Sequence, residues 1–287
     1  MENLTAESFR TNFLPTWCPG CGDFGIWKAL QDALVKLGIG PEEGIIIYGI
    51  GCHGNMHDWM NTYGIRTLHG RTIPVAQGVK LANHKLPVIV VSGDGDCLGE
   101  GGNHLIHAAK RNPDITVLIH DNQVYGLTTG QASPTAQKGL KTKSTPAGAT
   151  DEPVNPLTLA IVSGGTFVAR GFAGDIPGLT NLIVQAVSHK GFSVVDILQP
   201  CITFDRVHTY NWYRQRLYAL EAEGYAASNK LKAIEKALEW GERIPIGVFY
   251  QEVKPTSEEF EPAIAKQPLV SQPLEGIDLT TLLSEFH

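Results

Sequence analysis

A chain of 287 residues with 43% hydrophobic and 18% charged side chains can bury a full core, which excludes a disordered tail or a supercharged surface protein. Its 23 basic and 29 acidic residues leave a net charge of −6, which argues against a general nucleic-acid binder and allows at most a local basic patch. No apolar run reaches the roughly 18 residues of a membrane span, and the start MENLTAESFRTNF lacks the basic and apolar regions of a secretory signal. A cytoplasmic chain with no membrane partner is expected, whose five cysteines serve metal binding or catalysis instead of disulfides.

In chain order, Asp23 to Leu37 comes first. It sets Ile26, Trp27, Leu30, Ala33, Leu34 and Leu37 at helical spacing before a Gly38 stop. Ile45 to Tyr48 and Val88 to Val91 read as short buried strands. Asn103 to Arg111 reads as a helix closed by Asn112-Pro113, and Ile115 to Ile119 as the next strand. Strand, helix, strand in about 35 residues is a βαβ unit, which crosses right-handed and yields parallel strands. From Ser133 to Pro156 the pattern stops in a long polar loop, a length that is usually functional when it occurs inside a compact domain. A helix at Pro177 to His189 and a strand at Ser193 to Leu198 follow. Beyond Cys201 come the aromatic, basic segment TYNWYRQRLY, a helix at Asn229 to Trp240, a strand at Ile246 to Tyr250 and a polar tail. The expected fold is α/β, a doubly wound, mainly parallel sheet. Residues 1–205 form its cofactor domain and residues 206–287 an extension packing on the core or on a partner subunit.

Glycine is in excess: 31 residues, about 11% against a background of roughly 7%. Nine lie from Gly20 to Gly54 and seven from Gly93 to Gly130, as two cofactor-wrapping loops would need. The second window holds Ser92-Gly93-Asp94-Gly95-Asp96 after one strand and His120-Asp121-Asn122-Gln123-Val124-Tyr125-Gly126 after the next. Parallel strands joined by a crossover end on one sheet edge, so Asp94 and Asn122 face one crevice, where open α/β sheets bind ligands. A carboxylate, a carboxamide oxygen and a nearby backbone carbonyl are hard donors suited to Mg²⁺, with phosphate oxygens completing its shell. The glycines admit the phosphates, and the helix beginning near Asn103 offers free N–H groups.

The cysteines fall into the same geography. Cys18 and Cys21 form W-C-P-G-C-G before a helix, Cys52 follows a strand in G-I-G-C-H-G, and Cys201 follows another in L-Q-P-C. Four thiolates suit a [4Fe–4S] cluster, a structural zinc, or simply small core residues that never meet. Gaps of 30 and 148 residues exceed those of compact zinc ribbons and favour a cluster assembled by the fold. Cys97, inside the crevice loop, has no matching partner and reads as a buried thiol.

Asp94-containing G-D-G followed by Asp121-Asn122 resembles the thiamine-diphosphate motif, with Asp121 in place of its first Asn. Together with W-C-P-G-C-G, G-I-G-C-H-G, L-H-G-R-T-I-P-V-A-Q-G-V-K-L-A-N, G-D-G-D-C-L-G-E-G-G-N-H-L-I-H-A-A and D-N-Q-V-Y-G-L-T-T-G-Q-A-S-P-T, the chain is similar to β subunits of 2-oxoacid:ferredoxin oxidoreductases, most closely the 2-oxoglutarate branch. The resemblance implies a thiamine-diphosphate-binding fold. It implies CoA-dependent, reversible oxidative decarboxylation of a 2-oxoacid to acyl-CoA and CO₂, with electrons passing singly through one cluster to ferredoxin. It implies Mg²⁺ on Asp94, Asn122 and the Val124 carbonyl, and a [4Fe–4S] cluster on Cys18, Cys21, Cys52 and Cys201. Cofactor contacts are expected from Ile50, Gly51, Cys52, His53, Gly93, Asp94, Gly95, Asp96, Asn122, Val124, Gly126 and Leu127.

No certain catalytic residue is expected in this chain. The Glu that activates the cofactor's aminopyrimidine is supplied in this family by a partner α subunit, in a heterodimer that pairs again. Substrate contacts are expected at His53, Asn55, Arg71, Leu127 and Thr129. Arg71's bidentate fork makes it a better carboxylate binder than the histidines, and a surface salt bridge explains it equally well. His57 and His69 are weaker candidates, since clustered histidines are more often structural. Lys138, Lys141 and Lys143 could attract CoA phosphates or an acidic ferredoxin, but a solvated loop explains them better. Two rivals remain: a non-redox thiamine-diphosphate decarboxylase or synthase subunit, and a zinc-stapled scaffold subunit.

Overall fold

The computed structural model of the chain describes residues 4–273 and 279–286. Residues 1–3, 274–278 and 287, at the start of the chain and in its polar tail, lie outside the described residues. In chain order the elements are α1 (Asp23–Leu37), β1 (Ile45–Tyr48), β2 (Tyr63–Arg66), α2 (Thr72–Ala82), β3 (Val88–Gly93), α3 (Gly102–Arg111), β4 (Thr116–Asp121), the β5 (Val124–Tyr125) and β6 (Gln131–Ala132) hairpin, α4 (Pro156–Ser163), β7 (Phe167–Phe172), α5 (Ile176–Ser188), β8 (Ser193–Leu198), α6 (Tyr210–Arg214), β9 (Leu217–Ala219), α7 (Lys230–Ala237) and β10 (Ile244–Gln251). The ends follow local chemistry. α1 stops where Gly38 turns left-handed at φ 66° and its N–H reaches back to the Leu34 carbonyl. α5 starts where the Asp175 carboxylate accepts from Gly178 N, and α7 where Asn229 accepts from Lys232 N.

Eight strands form one sheet in the order β2-β1-β3-β4-β8-β7-β10-β9. All neighbours are parallel except β7 and β10. Side chains of the strands alternate between two cores. Ile46, Tyr48, Ile89 and Val91 pack with α1 and α5, whereas Ile47, Val88 and Val90 pack with residues of α2, α3, α4 and α7. Helices therefore cover both faces, the doubly wound α/β arrangement. Among the described residues no helix is long and apolar enough to cross a membrane.

Two departures from the sequence reading have physical causes. β7 is buried along its length although Arg170 stands in it. Arg170 is opposite Asp196 of β8 in register, donates Nε–H to Asp196 Oδ2 at 2.9 Å, and lies over the Trp240 and Phe249 rings. Pairing and stacking are what let a guanidinium enter a core. The segment after residue 205 does not merely overlie a finished core, because β10 pairs with β7 and β9 with β10 in the same sheet. The polar tail then packs back on the entry to β4, where Glu258 Oε2 accepts from Asp114 N at 3.2 Å.

α1 is held close to the sheet by Gly25. A Cβ there would lie 2.1 Å from the Ala173 carbonyl oxygen, which is backbone and cannot swing aside. Gly25→Ala is therefore expected to cost about 3 kcal/mol, the upper part of the range for overpacking, and to lower the melting temperature by roughly 6 °C or more. Thermal denaturation followed by circular dichroism checks this; an unchanged melting temperature contradicts it.

Candidate active site

The parallel register brings the C-terminal ends of β1, β3, β4 and β8 to one edge, with Gly93 opposite His120 and Asp121 opposite Leu198. Asp94 follows β3 and is buried. Its Oδ2 accepts from Gln123 N at 3.0 Å, Ser133 Oγ at 2.5 Å and Thr135 Oγ1 at 2.6 Å. Burial pushes this carboxyl above the usual range, and the hydroxyls of Ser133 and Thr135 pull it back. Asn122 follows β4 in an Asx turn, its Oδ1 accepting from Val124 N at 3.0 Å and its Nδ2 donating to Gln199 Oε1 at 3.1 Å.

These residues line a narrow crevice of about 60 Å³ that contains all twelve residues expected to contact the cofactor, together with His69, Tyr125 and Thr128. Its glycines are required by space. A Cβ on Gly93 would lie 2.7 Å from the His53 ring, one on Gly51 would lie 2.6 Å from it, and one on Gly95 would lie 2.3 Å from the Tyr125 ring. The helical turn that opens on the crevice begins at Gly95, directly after Asp94, and α3 itself starts only at Gly102. Amides at Gly95 and the following residues, not those near Asn103, are thus placed for phosphate oxygens. Asp96 holds the walls together: Oδ1 accepts from Ile50 N at 3.3 Å and Gly70 N at 2.8 Å, and Oδ2 accepts from Ser92 Oγ.

Behind the crevice lies a cavity of about 260 Å³ lined by Cys18, Cys21, Cys52 and Cys201, with Asn55, Thr129 and Gln199 among its other walls. Gly22 allows the first pair to reach the Cys201 loop, since a Cβ there would lie 2.6 Å from Gln199 Cγ, and Gly22 N donates to Pro200 O at 3.1 Å. Gln199 Nε2 donates to Cys21 Sγ at 3.4 Å, and Trp17 Nε1 to the Cys52 carbonyl at 2.7 Å. Burial, followed by the nearby Asp23 carboxylate, raises both Cys21 and Cys52, the latter to about 12. Thiols raised in this way become thiolates only with a cationic group to balance them. Among the described residues no three Cys, His, Asp or Glu side chains converge on one ion position. The four cysteines line one common cavity.

The two cavities share a wall made of Cys52, Asn122, Gly126 and Leu127. Of the expected substrate contacts, His53 and Leu127 line the crevice, while Asn55, Leu127 and Thr129 line the cysteine cavity. His53 is buried, and burial lowers it to about 4, so it enters the crevice as neutral imidazole. Arg71 is not brought there: its Nη1 donates to the Gly70 and Glu100 carbonyls at the surface near His104. His57 also points elsewhere, toward Asp58 and the Tyr48 ring. Cys97 is buried in the core with Ile47 and Val90, and Lys138 pairs with Glu152 on the exposed loop.

Sequence reading missed three supporting groups: Ser133 and Thr135, which grip Asp94, and Gln199, which links Asn122 to Cys21. Their only signal was proximity to the motifs. The base of the long polar loop is in fact anchored on the Asp94 carboxylate.

Comparison with known proteins bears on the family and the fold. The family described as thiamine pyrophosphate enzyme, C-terminal TPP binding domain, matches residues 49–197. A second family, the C-terminal region of the pyruvate ferredoxin oxidoreductase beta chain, matches residues 201–266. The chain is 46% identical over 277 residues to 2-oxoacid:ferredoxin oxidoreductase 1, subunit beta, of Aeropyrum pernix, covering 93% of this chain and 86% of that one. It is 47% identical over 199 residues to the 2-oxoglutarate oxidoreductase subunit KorB of Mycobacterium tuberculosis, covering 69% of this chain and 53% of that one. Its fold is similar, with a TM-score of 0.91 and 35% identity over 100% of this chain and 97% of the other, to a solved 2-oxoglutarate:ferredoxin oxidoreductase from Magnetococcus marinus with 2-oxoglutarate, coenzyme A and succinyl-CoA bound. A thiamine-diphosphate-binding α/β domain whose crevice adjoins four cysteines thus places the chain in a family: it belongs to the β subunits of the 2-oxoacid:ferredoxin oxidoreductases.

Proposed function

We propose that this chain carries the diphosphate half of the active site and one [4Fe–4S] cluster of an enzyme that oxidatively decarboxylates 2-oxoglutarate to a CoA thioester. The observation that carries the reading is the shared wall between the aspartate crevice and the four-cysteine cavity. When bound, thiamine diphosphate supplies a carbon nucleophile and electron sink, and the cluster an acceptor of single electrons. Asp94, Asn122 and the Val124 carbonyl would hold Mg²⁺, and Cys18, Cys21, Cys52 and Cys201 would hold the cluster. The donor chemistry supports both: three hard oxygens at one edge, and four soft thiolates around one space.

The chain's own groups position and exclude. Neutral His53 offers a hydrogen bond without adding a charge to a crevice that already holds Asp94 and Asp96. Leu127 gives the shared wall an apolar surface. Asn55 is fixed at the cavity edge by Arg66, whose Nη2 donates to its Oδ1 at 2.9 Å. That exposed guanidinium offers a cation for the distal carboxylate of a dicarboxylic substrate, which favours 2-oxoglutarate over pyruvate. The KorB relative and the Magnetococcus enzyme support the same choice. The activating Glu and completion of the site are assigned to a partner α subunit, with CoA as acyl acceptor and ferredoxin as electron acceptor.

The test is anaerobic reconstitution with the α subunit. The expected holoprotein is brown with about four irons per chain, reduces viologen with 2-oxoglutarate at least about tenfold more efficiently than with pyruvate, and is inactive without its partner. Zinc in place of iron overturns the cluster, turnover by the isolated chain overturns the division of the site between two chains, and a preference for pyruvate overturns the substrate.

A further inference from the structure

The cysteine cavity reaches solvent on one side. Cys18 is exposed, Cys21 is buried, and Cys52 and Cys201 are half-buried. Residues 11–22 and 200–216 frame that opening, and they touch where Gly20 approaches Ile202 Cδ1. The frame is short of negative charge. Residues 11–22 contain no Asp or Glu. Residues 200–216 contain only Asp205, which is buried and bonded to His208 Nδ1 at 2.5 Å and to the Val207 and His208 amides.

The same frame carries Arg206, Arg214 and Arg216. Its formal charge is thus 3 − 1 = +2 on a chain whose total is −6. Arg206 and Arg214 are exposed. Among the described residues none of the three pairs with a carboxylate: Arg214 lies 5.6 Å over Tyr210, and Arg216 lies 4.3 Å over Trp212. Tyr210 is in turn close enough to Cys21 and Asp23 that their charges help raise its phenol, after burial. The arginine therefore connects through one ring to the cavity wall. Beside Arg206 two apolar side chains stand out, Ile202 at 41% and Val207 at 51% exposure.

We infer that this face, centred on Cys18 and rimmed by Arg206 and Arg214, is the docking surface for an iron–sulfur electron carrier with an acidic face. The inference rests on the cluster assignment above and adds the route out. One electron leaves the reduced cluster past Cys18 and reduces the carrier's oxidised cluster, with no atom or proton exchanged. Unpaired arginines steer a carboxylate-rich partner to the opening, and the apolar pair supplies the desolvated contact at its centre.

The experiment compares the wild-type α/β complex with R206E/R214E, using a negatively charged 2[4Fe–4S] ferredoxin as probe. Calorimetric titration at low ionic strength is expected to show the variant binding ferredoxin about tenfold or more weakly. Rising salt should weaken the wild type and leave the variant nearly unchanged. Iron content and viologen turnover, which need no docking, should match the wild type. Unchanged ferredoxin affinity overturns the assignment, and so does a variant that fails to assemble with the α subunit, since the face then belongs to the interface between the two chains. A wild-type complex that binds no iron overturns the cluster reading beneath it, an outcome told apart by metal analysis alone.

Discussion

Asp94→Asn is expected to weaken Mg²⁺-dependent binding of thiamine diphosphate by roughly 100-fold or more, beyond the 10–100-fold typical of residues that merely support a metal ligand. The reason is charge, not shape. The amide fills the same space, and its oxygen can still accept from Gln123 N, Ser133 Oγ and Thr135 Oγ1, the three donors that now converge on Oδ2. What disappears is the one formal negative charge among the three proposed Mg²⁺ ligands, the others being a carboxamide and a backbone carbonyl. A hard divalent cation loses most from that change. Because the donors keep an acceptor, no buried hydroxyl is orphaned, and the chain should fold, join its partner and retain its iron. Titration of the reconstituted complex with thiamine diphosphate at several Mg²⁺ concentrations reads the effect. A variant that binds within a few-fold of wild type would remove Asp94 from the metal.

The neighbouring acid behaves differently, and this bears on what could be seen in the sequence. Asp121 replaces an Asn of the thiamine-diphosphate motif. Burial, with Asp196 and Asp94 nearby, pushes its carboxyl well above the ordinary range, so the protonated form is favoured. Its Oδ1 lies 2.7 Å from Thr135 Oγ1, whose single hydrogen goes to Asp94, so the protonated acid donates to that oxygen as an amide N–H would. The motif survives the substitution because the environment cancels the charge.

Contiguous patterns were legible. The spacing over Asp23–Leu37, Ile45–Tyr48 and Ser193–Leu198 matches the elements residue for residue, because each is an apolar pattern bounded by a turn. β7 was not legible, since Arg170 and Gly171 break its apolar run and only Asp196, on another strand, makes the arginine acceptable there. Arg71 shows the opposite failure: its chemistry suited a carboxylate, but β2 and the turn into α2 aim it at the Glu100 carbonyl. Ser133 and Gln199 were hidden for a related reason. A hydroxyl in a polar loop and an amide before a proline carry no periodic signal, and their roles exist only once the strand ends are brought to one edge.

Cys201→Ala provides the complementary loss. Cys201 lines the cysteine cavity but not the crevice, so its removal separates the two halves that Cys52 joins. Burial raises the Cys201 thiol, and the amides of Phe204, Asp205 and Thr203 pull it back, so its thiolate at neutral pH depends on an adjacent positive centre. Without Cys201 only three of the four thiolates that would hold the cluster remain. Iron is expected to fall clearly below the roughly four atoms of the intact site, the absorbance near 400 nm to fade, and viologen reduction to drop by about 100-fold or more. Affinity for thiamine diphosphate should stay within about threefold, since no proposed Mg²⁺ ligand is touched and Cys201 does not line the crevice. Cys97→Ala supplies the control. That thiol is buried in the core among Ile47 and Val90, so its loss should cost stability but neither iron nor colour. Asp94→Asn would then lack the diphosphate and keep the iron, while Cys201→Ala would lack the iron and keep the diphosphate. Equal loss of both from either variant would mean that the shared wall is one site, in which the crevice forms only around a bound cluster.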